Sequence, residues 1–584
     1  MIFRFFFFLS FDILFSAFSL YFAYLLRFNF DIPPIWFNNL PEIFLTITTL
    51  KVLALLYFRS YHLIWRLVSL HDIINIIKAH VVAYSLFVFM VLIRIDYLLP
   101  IPKSVIVIDF FLSLGLISIF RMLRRLYIEN RITLSTNPTL IVGVDSGIAS
   151  IIKECRSGKL DYTPVAIVDI DKRSNRKNGY ISNIRVFGEE EIEEIVQNYG
   201  ISSAIINSQV GDMNSIFDRL KRAGVKDIKI KSNLSNTISN ISIEDLLARH
   251  PKDLDLKAVE EFIKGKNVLI TGAGGSIGSE LSLQVERFGA NEMYLVEHSE
   301  YNLYQINEKL QKSNHKNYLL DIKNRSRLEE IFQSHKIDLV LHAAAYKHVP
   351  LCEENIDSAV ENNILGSINV IDLSIKYKVQ KVVIVSTDKA VRPTNVMGTT
   401  KRIVELYAQN VEAGETEIGA VRFGNVLGSS GSVIPKFREL IENNRPITVT
   451  HPEITRYFML ISEACHLVLQ AGTLAKSGEI FILDMGEPVK IVDLANKMKQ
   501  IYGKEDLPIQ FIGLRPGEKK YEELLISDSE VRTKYESIFV TKPTKYPIEK
   551  LRKDIERLFK AKGEEKLPIL KEIVPEFNHN RGGD

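Results

Sequence analysis

Thr387, Asp388 and Lys389 stand in a row after the apolar run Val382-Val-Ile-Val385, and Lys401 follows twelve positions after Lys389. A hydroxyl, a carboxyl and an amine are side chains that can hold and move protons. Out of context such a row is a solvated turn at a strand end. Its setting argues otherwise, because ligands of open α/β sheets bind at the C-terminal ends of the strands. Lys401 comes four residues after Met397, which puts both on one face of a helix.

The elements that must position this row begin at Val268-Leu-Ile-Thr-Gly-Ala-Gly-Gly-Ser-Ile-Gly-Ser-Glu280. An apolar strand breaks into glycines and then into an amphipathic helical pattern. Gly272, Gly275 and Gly278 have the spacing Gly-x-x-Gly-x-x-Gly, with Gly274 as an extra. Without Cβ atoms the backbone turns tightly and brings the helix N-terminus, at Ser276 and Ile277, onto a pyrophosphate. A second strand, Met293-Tyr-Leu-Val-Glu297, ends in an acid. A carboxylate at Glu297 would bond the adenosine ribose 2′-OH and repel a 2′-phosphate, which favours NAD over NADP. Leu319-Leu-Asp-Ile322 reads as a third strand whose Asp321 would cap the adenine amino group. Leu339-Val-Leu-His-Ala-Ala-Ala345 reads as a fourth, ending in Ala343, Ala344 and Ala345. Side chains that small let the chain pass closely beside the cofactor's phosphates and nicotinamide ribose.

A chain of 584 residues is too long for one core, and about three folded units are expected. A net charge of +3 gives no broad attraction to nucleic acid. Three scattered cysteines, Cys155, Cys352 and Cys465, argue against a disulfide framework or a zinc site and suit a reducing compartment. The residues before about Arg125 are crowded with Phe, Leu, Ile and Val, whereas the rest has a soluble composition. Four apolar stretches near Phe5–Leu26, Ile43–Phe58, Ile77–Leu99 and Ser104–Phe120 read as membrane spans. Lys51, His80 and Arg94 interrupt the middle pair, for which a re-entrant hairpin is the alternative. Basic residues after the second span (Arg59, Arg66, Lys78) and the fourth (Arg121, Arg124, Arg125, Arg131) place the remaining chain in the cytoplasm by the positive-inside rule. Paired buried acids and Gly- or Pro-broken helices, the marks of a transport path, are not evident, so the segment reads as an anchor in the bilayer.

The expected organisation is an α/β chain: a helical transmembrane region over 1–130, then two Rossmann-type units. The first, over 137–235, opens with Thr139-Leu-Ile-Val-Gly143 and lacks a full glycine fingerprint. A charged connector over 236–265, including Ile243–Arg249 and Pro251–Asp255, leads to a catalytic domain over 266–545. A C-terminal helix and tail over 546–584 follow, with disorder expected from Asn578, and Asp171–Asn178 reads as a solvated loop.

The glycine pattern, the strand ending in Ser386-Thr387 and the following x-x-x-Lys helix resemble the extended short-chain dehydrogenase/reductases. More specific are His342-Ala-Ala-Ala-Tyr-Lys-His-Val-Pro350, Ser386-Thr-Asp-Lys-Ala390 and Arg422-Phe-Gly-Asn-Val-Leu-Gly-Ser-Ser-Gly431. With Thr455-Arg-Tyr-Phe458 and Leu514-Arg-Pro-Gly-Glu-Lys519, they resemble membrane-anchored UDP-N-acetylglucosamine 4,6-dehydratases of bacterial protein N-glycosylation and polysaccharide biosynthesis. The resemblance runs over essentially the whole chain. It implies a multi-pass inner-membrane protein with a cytoplasmic extended SDR domain, a C-terminal nucleotide-sugar subdomain, NAD as cofactor and a UDP-sugar as substrate. It also implies a homo-oligomer, no nucleic acid, and a downstream aminotransferase and other glycan-pathway enzymes as partners.

The reaction so implied oxidises C4, eliminates water across C5 and C6, and returns hydride to C6, with C5 configuration retained. Asp388 is then the general acid, with a raised pKa, and Lys389 the C5 base, with a depressed one; the two roles can be exchanged. Lys401 holds the nicotinamide ribose. The superfamily's usual Tyr-x-x-x-Lys is here Met397-x-x-x-Lys401. A thioether takes no proton, so a water or Thr387 must serve the 4-OH, or the chain is silent. Lys347, Asn425, Ser429 and Val433 are expected on the substrate side, with Arg456, Arg515 and Glu518 at the diphosphate or nucleoside. A UDP-sugar 4-epimerase and a silent NAD- or sugar-nucleotide-sensing scaffold are the competing readings.

Overall fold

The apolar N-terminal stretches become four long helices: α1 Ile2–Arg27, α2 Leu40–Tyr57, α3 Leu70–Leu92 and α4 Lys103–Asn130. The computed structural model describes residues 2–61, 70–130, 137–145, 147–171, 176–207, 210, 212–231, 238–247, 254–311, 314–523 and 531–579. Arg66, Arg131, Arg249, Pro251 and residues 172–175 of the charged loop lie outside these. The chain folds into two compact units, 1–205 with 222–227, and 206–221 with 228–584.

These four helices, which lie in the first unit, have the length and composition to cross a membrane, the middle pair included (Pro34–Tyr57 and Asp72–Leu92). They meet at one carboxylate. Asp109 of α4 accepts hydrogen bonds from Ser19 of α1, from Lys51 of α2 (3.2 Å) and from Tyr84 of α3. More than three turns further along α4, Arg121 donates to Asp12 at 2.8 Å, both buried. A lone charge in hydrocarbon is expensive and a paired, hydrogen-bonded one is tolerated, which explains Lys51 within a span. Arg121 is therefore an interior bundle residue, not a flanking one as expected. Beyond the bundle, strands Pro138–Val142, Thr163–Asp169 and Ile184–Gly188 run parallel to one another. The first ends at Gly143 with φ +90° and leads into the helix Ile148–Arg156, a second Rossmann-type pattern.

The second unit is built on a nine-stranded sheet. Its strands are β1 Asn267–Thr271, β2 Glu292–Glu297, β3 His315–Leu319, β4 Leu339–His342, β5 Lys381–Val385, β6 Glu417–Arg422, β7 Glu479–Leu483, β8 Val531–Arg532 and β9 Ile538–Thr541. They lie in the order β3-β2-β1-β4-β5-β6-β7-β9-β8, parallel through β7 and antiparallel beyond it. The order reverses between β1 and β4, which opens a crevice at their C-terminal ends. Helices cover both faces, so the central strands are buried on both sides and read as continuous apolar runs.

One strand departs from its expected place for a physical reason. The third strand is His315–Leu319, not Leu319–Ile322. It lies at the sheet edge, where polar residues are favoured, while Leu320 and Ile322 are buried after the strand has ended. At the C-terminus, where disorder was expected from Asn578, residues 580–584 lie outside those described, and the residues before them are packed. Helices α7 Ile548–Lys560 and α8 Lys566–Ile573 bury Leu551, Ile555, Leu558, Leu570 and Ile573 in the core below β5 and β6. Buried Phe577 draws the chain further in, so Asn578 N–H donates to the Pro393 carbonyl (3.0 Å) and His579 meets Glu353 (2.6 Å).

Candidate active site

Past the end of β5 the chain keeps contact with the β6 side, through Ser386 N–H to the Val421 carbonyl and Asp388 N–H to the Phe423 carbonyl. It then tightens into a short 3-10 turn, Asp388–Ala390. Thr387 donates to Asp388 Oδ1 at 2.8 Å, and Lys389 Nζ lies 3.0 Å from the same oxygen. Lys389 Nζ also lies 3.3 Å from Asn425 Oδ1 and 3.5 Å from Glu522 Oε1. Burial alone lowers the pKa of Lys389, but the Asp388 and Glu522 carboxylates outweigh it and the net shift is upward. The resting residue is an ammonium. A depressed amine was expected, and two flanking carboxylates are the reason it is absent. Asp388 itself is only 1% exposed, set beneath Thr387 and Lys389.

Helix α5 (Ser276–Arg287) and helix α6 (Val396–Asn410) form two sides of the site. Asn395 caps α6, accepting from Gly398 N–H at 2.8 Å. A Cβ on Gly398 would lie 2.1 Å from the Lys389 carbonyl oxygen, so only glycine lets α6 rest on the Asp388–Ala390 turn. Met397 and Lys401 are buried one turn apart, both in the cleft wall. Burial lowers the Lys401 pKa to about 8, partly offset by Glu405. Glu405 accepts from Ser386 (2.7 Å) and from two nitrogens of the fully buried Arg422, which rivets α6 to β5 and β6.

At the other end Gly272, at φ +65°, abuts the Ala344 backbone, where a Cβ would be 2.8 Å away. Helix α5 starts at Gly275 with no side-chain cap, so its first N–H groups suit an anion. Glu297 ends β2 and accepts from Gly274 and Ser299 N–H groups, each at 3.0 Å, bracing the glycine turn. A cleft of about 940 Å³ runs from these glycines past Ala343 and Ala345 to Lys389, Lys401 and Arg515. Gly272, Gly274, Gly275, Ser276, Ile277, Gly278, Thr387, Lys347, Asn425, Ser429, Val433, Arg456 and Glu518 share its wall. Glu297, Asp321, Ala344 and Asp388 are not part of that wall. Asp321 accepts from Lys323 N–H (2.9 Å) in the turn after β3. An uncapped helix start, a glycine turn against a small-residue strand end and a braced acid together fit a dinucleotide.

The opposite wall is cationic. Lys436 lies beside Arg515, and burial, then Arg515, lowers its pKa. Lys347 is lowered by burial alone. Arg456 is occupied otherwise than expected: its guanidinium donates to the carbonyls of Thr455, Lys519 and Lys520 and to Glu518. It fastens the strap that carries Glu518 more than it awaits a phosphate.

Three residues around the site are brought to it by the fold and stand in no motif of the sequence. Glu522 is one acid in a run of charges, and only the fold brings it to Lys389. Glu405 sits four after Lys401, at the same helical spacing as Met397 to Lys401. Asn363 lies in a π-helical turn, Glu361–Leu365, and holds both the Tyr346 N–H and carbonyl as well as Thr400. Two adjacent asparagines inside a helix were its available sign.

Residues 268–543 match the family model described as polysaccharide biosynthesis protein. The capsular polysaccharide biosynthesis protein CapD of Staphylococcus aureus is 40% identical over 517 residues, spanning 84% of this chain and 85% of that one. The chain belongs to this family. Its second unit has the doubly wound sheet and the glycine turn of a dinucleotide-binding fold. A UDP-glucose 4-epimerase of Rickettsia canadensis is 37% identical over 276 residues, covering 45% of this chain and 78% of that protein. Among solved structures, Pen from Bacillus thuringiensis is 39% identical, covering 49% of this chain and 89% of that one, with a TM-score of 0.45.

Proposed function

We propose that the protein is a membrane-held, NAD-dependent UDP-N-acetylglucosamine 4,6-dehydratase that retains the C5 configuration. The observation that carries this reading is the Asp388–Lys389 pair at the end of β5, beside Met397 where the superfamily's tyrosine is expected. Bound NAD supplies the hydride acceptor at C4 and the donor at C6.

The protein's own groups handle the protons. Moving one proton across the 3.0 Å from Lys389 to Asp388 turns the resting ion pair into a carboxylic acid and a free amine, with no change in net charge. Lys389 then takes the C5 proton, Asp388 protonates the departing 6-oxygen, and Lys389 returns its proton to the same face of C5 as C6 receives hydride, the proton released by the 4-OH restoring the resting pair. Thr387, in the cleft wall and bonded to Asp388, carries that acidity to the substrate. For the 4-OH proton, Thr387 or a water held near Lys401 replaces the missing phenol. The Lys401 charge favours an alkoxide there. Lys436 and Arg515 face the diphosphate, and Glu297 keeps lone pairs for the adenosine ribose. The four helices hold the protein to a bilayer with the catalytic unit in the cytoplasm, and the 4-keto product suits an aminotransferase.

A 4-epimerase is the second reading, favoured by the likeness to the Rickettsia relative. Full-length protein in detergent, incubated with UDP-N-acetylglucosamine and NAD and followed by mass spectrometry, separates the two. Loss of one water supports the dehydratase, whereas unchanged mass with a UDP-N-acetylgalactosamine signal contradicts it.

A further inference from the structure

Glu522 takes no part in the reaction as written, yet it is buried beside the residue that performs its central step. Its side chain is 3% exposed, with Oε1 3.5 Å from Lys389 Nζ and 3.7 Å from Arg456 Nε. Its Oε2 is buried with no hydrogen-bond partner among the described residues. A carboxylate so enclosed remains ionised only if cations face it. The strap that carries it is fastened on two sides. Thr394 Oγ1 and Asn395 Nδ2 each donate to the Gly517 carbonyl at 3.0 Å, and Arg456 donates to the Lys519 carbonyl at 2.8 Å. Asn395 also caps α6, so one residue places both Met397–Lys401 and Glu522.

We propose that Glu522 is a positioning residue for the base: it holds the Lys389 ammonium against Asp388 at rest and stabilises it again once Lys389 has taken the C5 proton. The proposal rests on Lys389 being that base. The charged groups facing Lys389 are Asp388 from its own turn, Glu522 from the strap and Arg456 from the strand Thr455–Arg456. Without Glu522, Asp388 alone opposes Arg456. The amine then loses its proton at lower pH.

The test uses full-length protein and two readouts against pH. One is the rate of C5 proton release from UDP-N-acetylglucosamine. The other is acetylation of Lys389 by acetic anhydride, followed by mass spectrometry, which needs no substrate. Glu522→Gln is expected to lower both midpoints by about one unit or more, as for a removed opposite charge nearby. Glu523→Gln, which removes a surface partner of Arg392 and Lys519, should move neither. If Glu522→Gln does not fold, Glu522→Asp draws the charge back by one methylene and should lower the midpoints by about half a unit. A slower Glu522 variant with unmoved midpoints overturns the proposal while the dehydratase reading stands. Wild type that releases no C5 proton, with a Lys389 midpoint that still falls in Glu522→Gln, overturns the dehydratase reading and supports the hold of Glu522 on Lys389.

Discussion

At the residue scale, the site keeps one lysine charged and makes charge costly for the other. Lys389 has two carboxylates beside it, whereas Lys401 is buried with only Glu405 to offset its desolvation. A lysine whose folded pKa is near 8 destabilises the fold wherever it is charged in both states. That cost is full below about pH 8 and fades as pH rises toward the unfolded value of about 10.4. Lys401→Met should therefore abolish turnover yet stabilise the cofactor-free protein at pH 7, by about 3 kcal/mol at ~1.4 kcal/mol per pKa unit. Thermal melts at pH 7 and pH 10 check this, since the gain should be largely gone at the higher pH. The residue types were legible in the sequence, and so was the helical spacing of Met397 and Lys401. The charge state of Lys389 was not, because besides its neighbour Asp388 it depends on Glu522, which lies far along the chain and within no periodic pattern.

At the element scale, helix α6 is held by a cap, a contact and a rivet. Gly398→Ala would push a methyl onto the Lys389 carbonyl. A folded protein with normal NAD affinity and at least a hundredfold lower turnover is the expected result, because a displacement of about 1 Å can cost that much. Glu405→Gln leaves the buried Arg422 without its full counter-charge, and loss of about 3–5 kcal/mol of stability is expected. Chemical denaturation reads that directly, and an unchanged midpoint would count against the rivet. The strands of the dinucleotide half were legible because buried parallel strands are apolar throughout. β3 was misplaced because edge strands tolerate polar residues and the neighbouring buried loop does not. The C-terminal helices were missed as packing elements: their stripe of Leu551, Ile555 and Leu558 was there to see, but charge dominates the composition around it.

At the scale of the whole molecule, the membrane bundle and the catalytic unit are separate achievements of one chain. In the bundle, helix meets helix through Asp109 and through the Asp12–Arg121 pair. Composition revealed the spans but not this pairing, since the partners come from different helices. We expect a protein lacking residues 1–130 to be soluble and to retain both NAD binding and turnover. A folded truncation without NAD affinity would contradict that modular division. Family membership rests on the 40% identity with the Staphylococcus aureus protein over most of both chains. The choice between dehydration and epimerisation rests on the atoms around Lys389. That choice is most directly tested by giving the full-length protein UDP-N-acetylglucosamine deuterated at C4, and locating the label by NMR. The account predicts deuterium in a new C6 methyl group of a 4-keto product; deuterium still on C4, in starting sugar or in its C4 epimer, would contradict it.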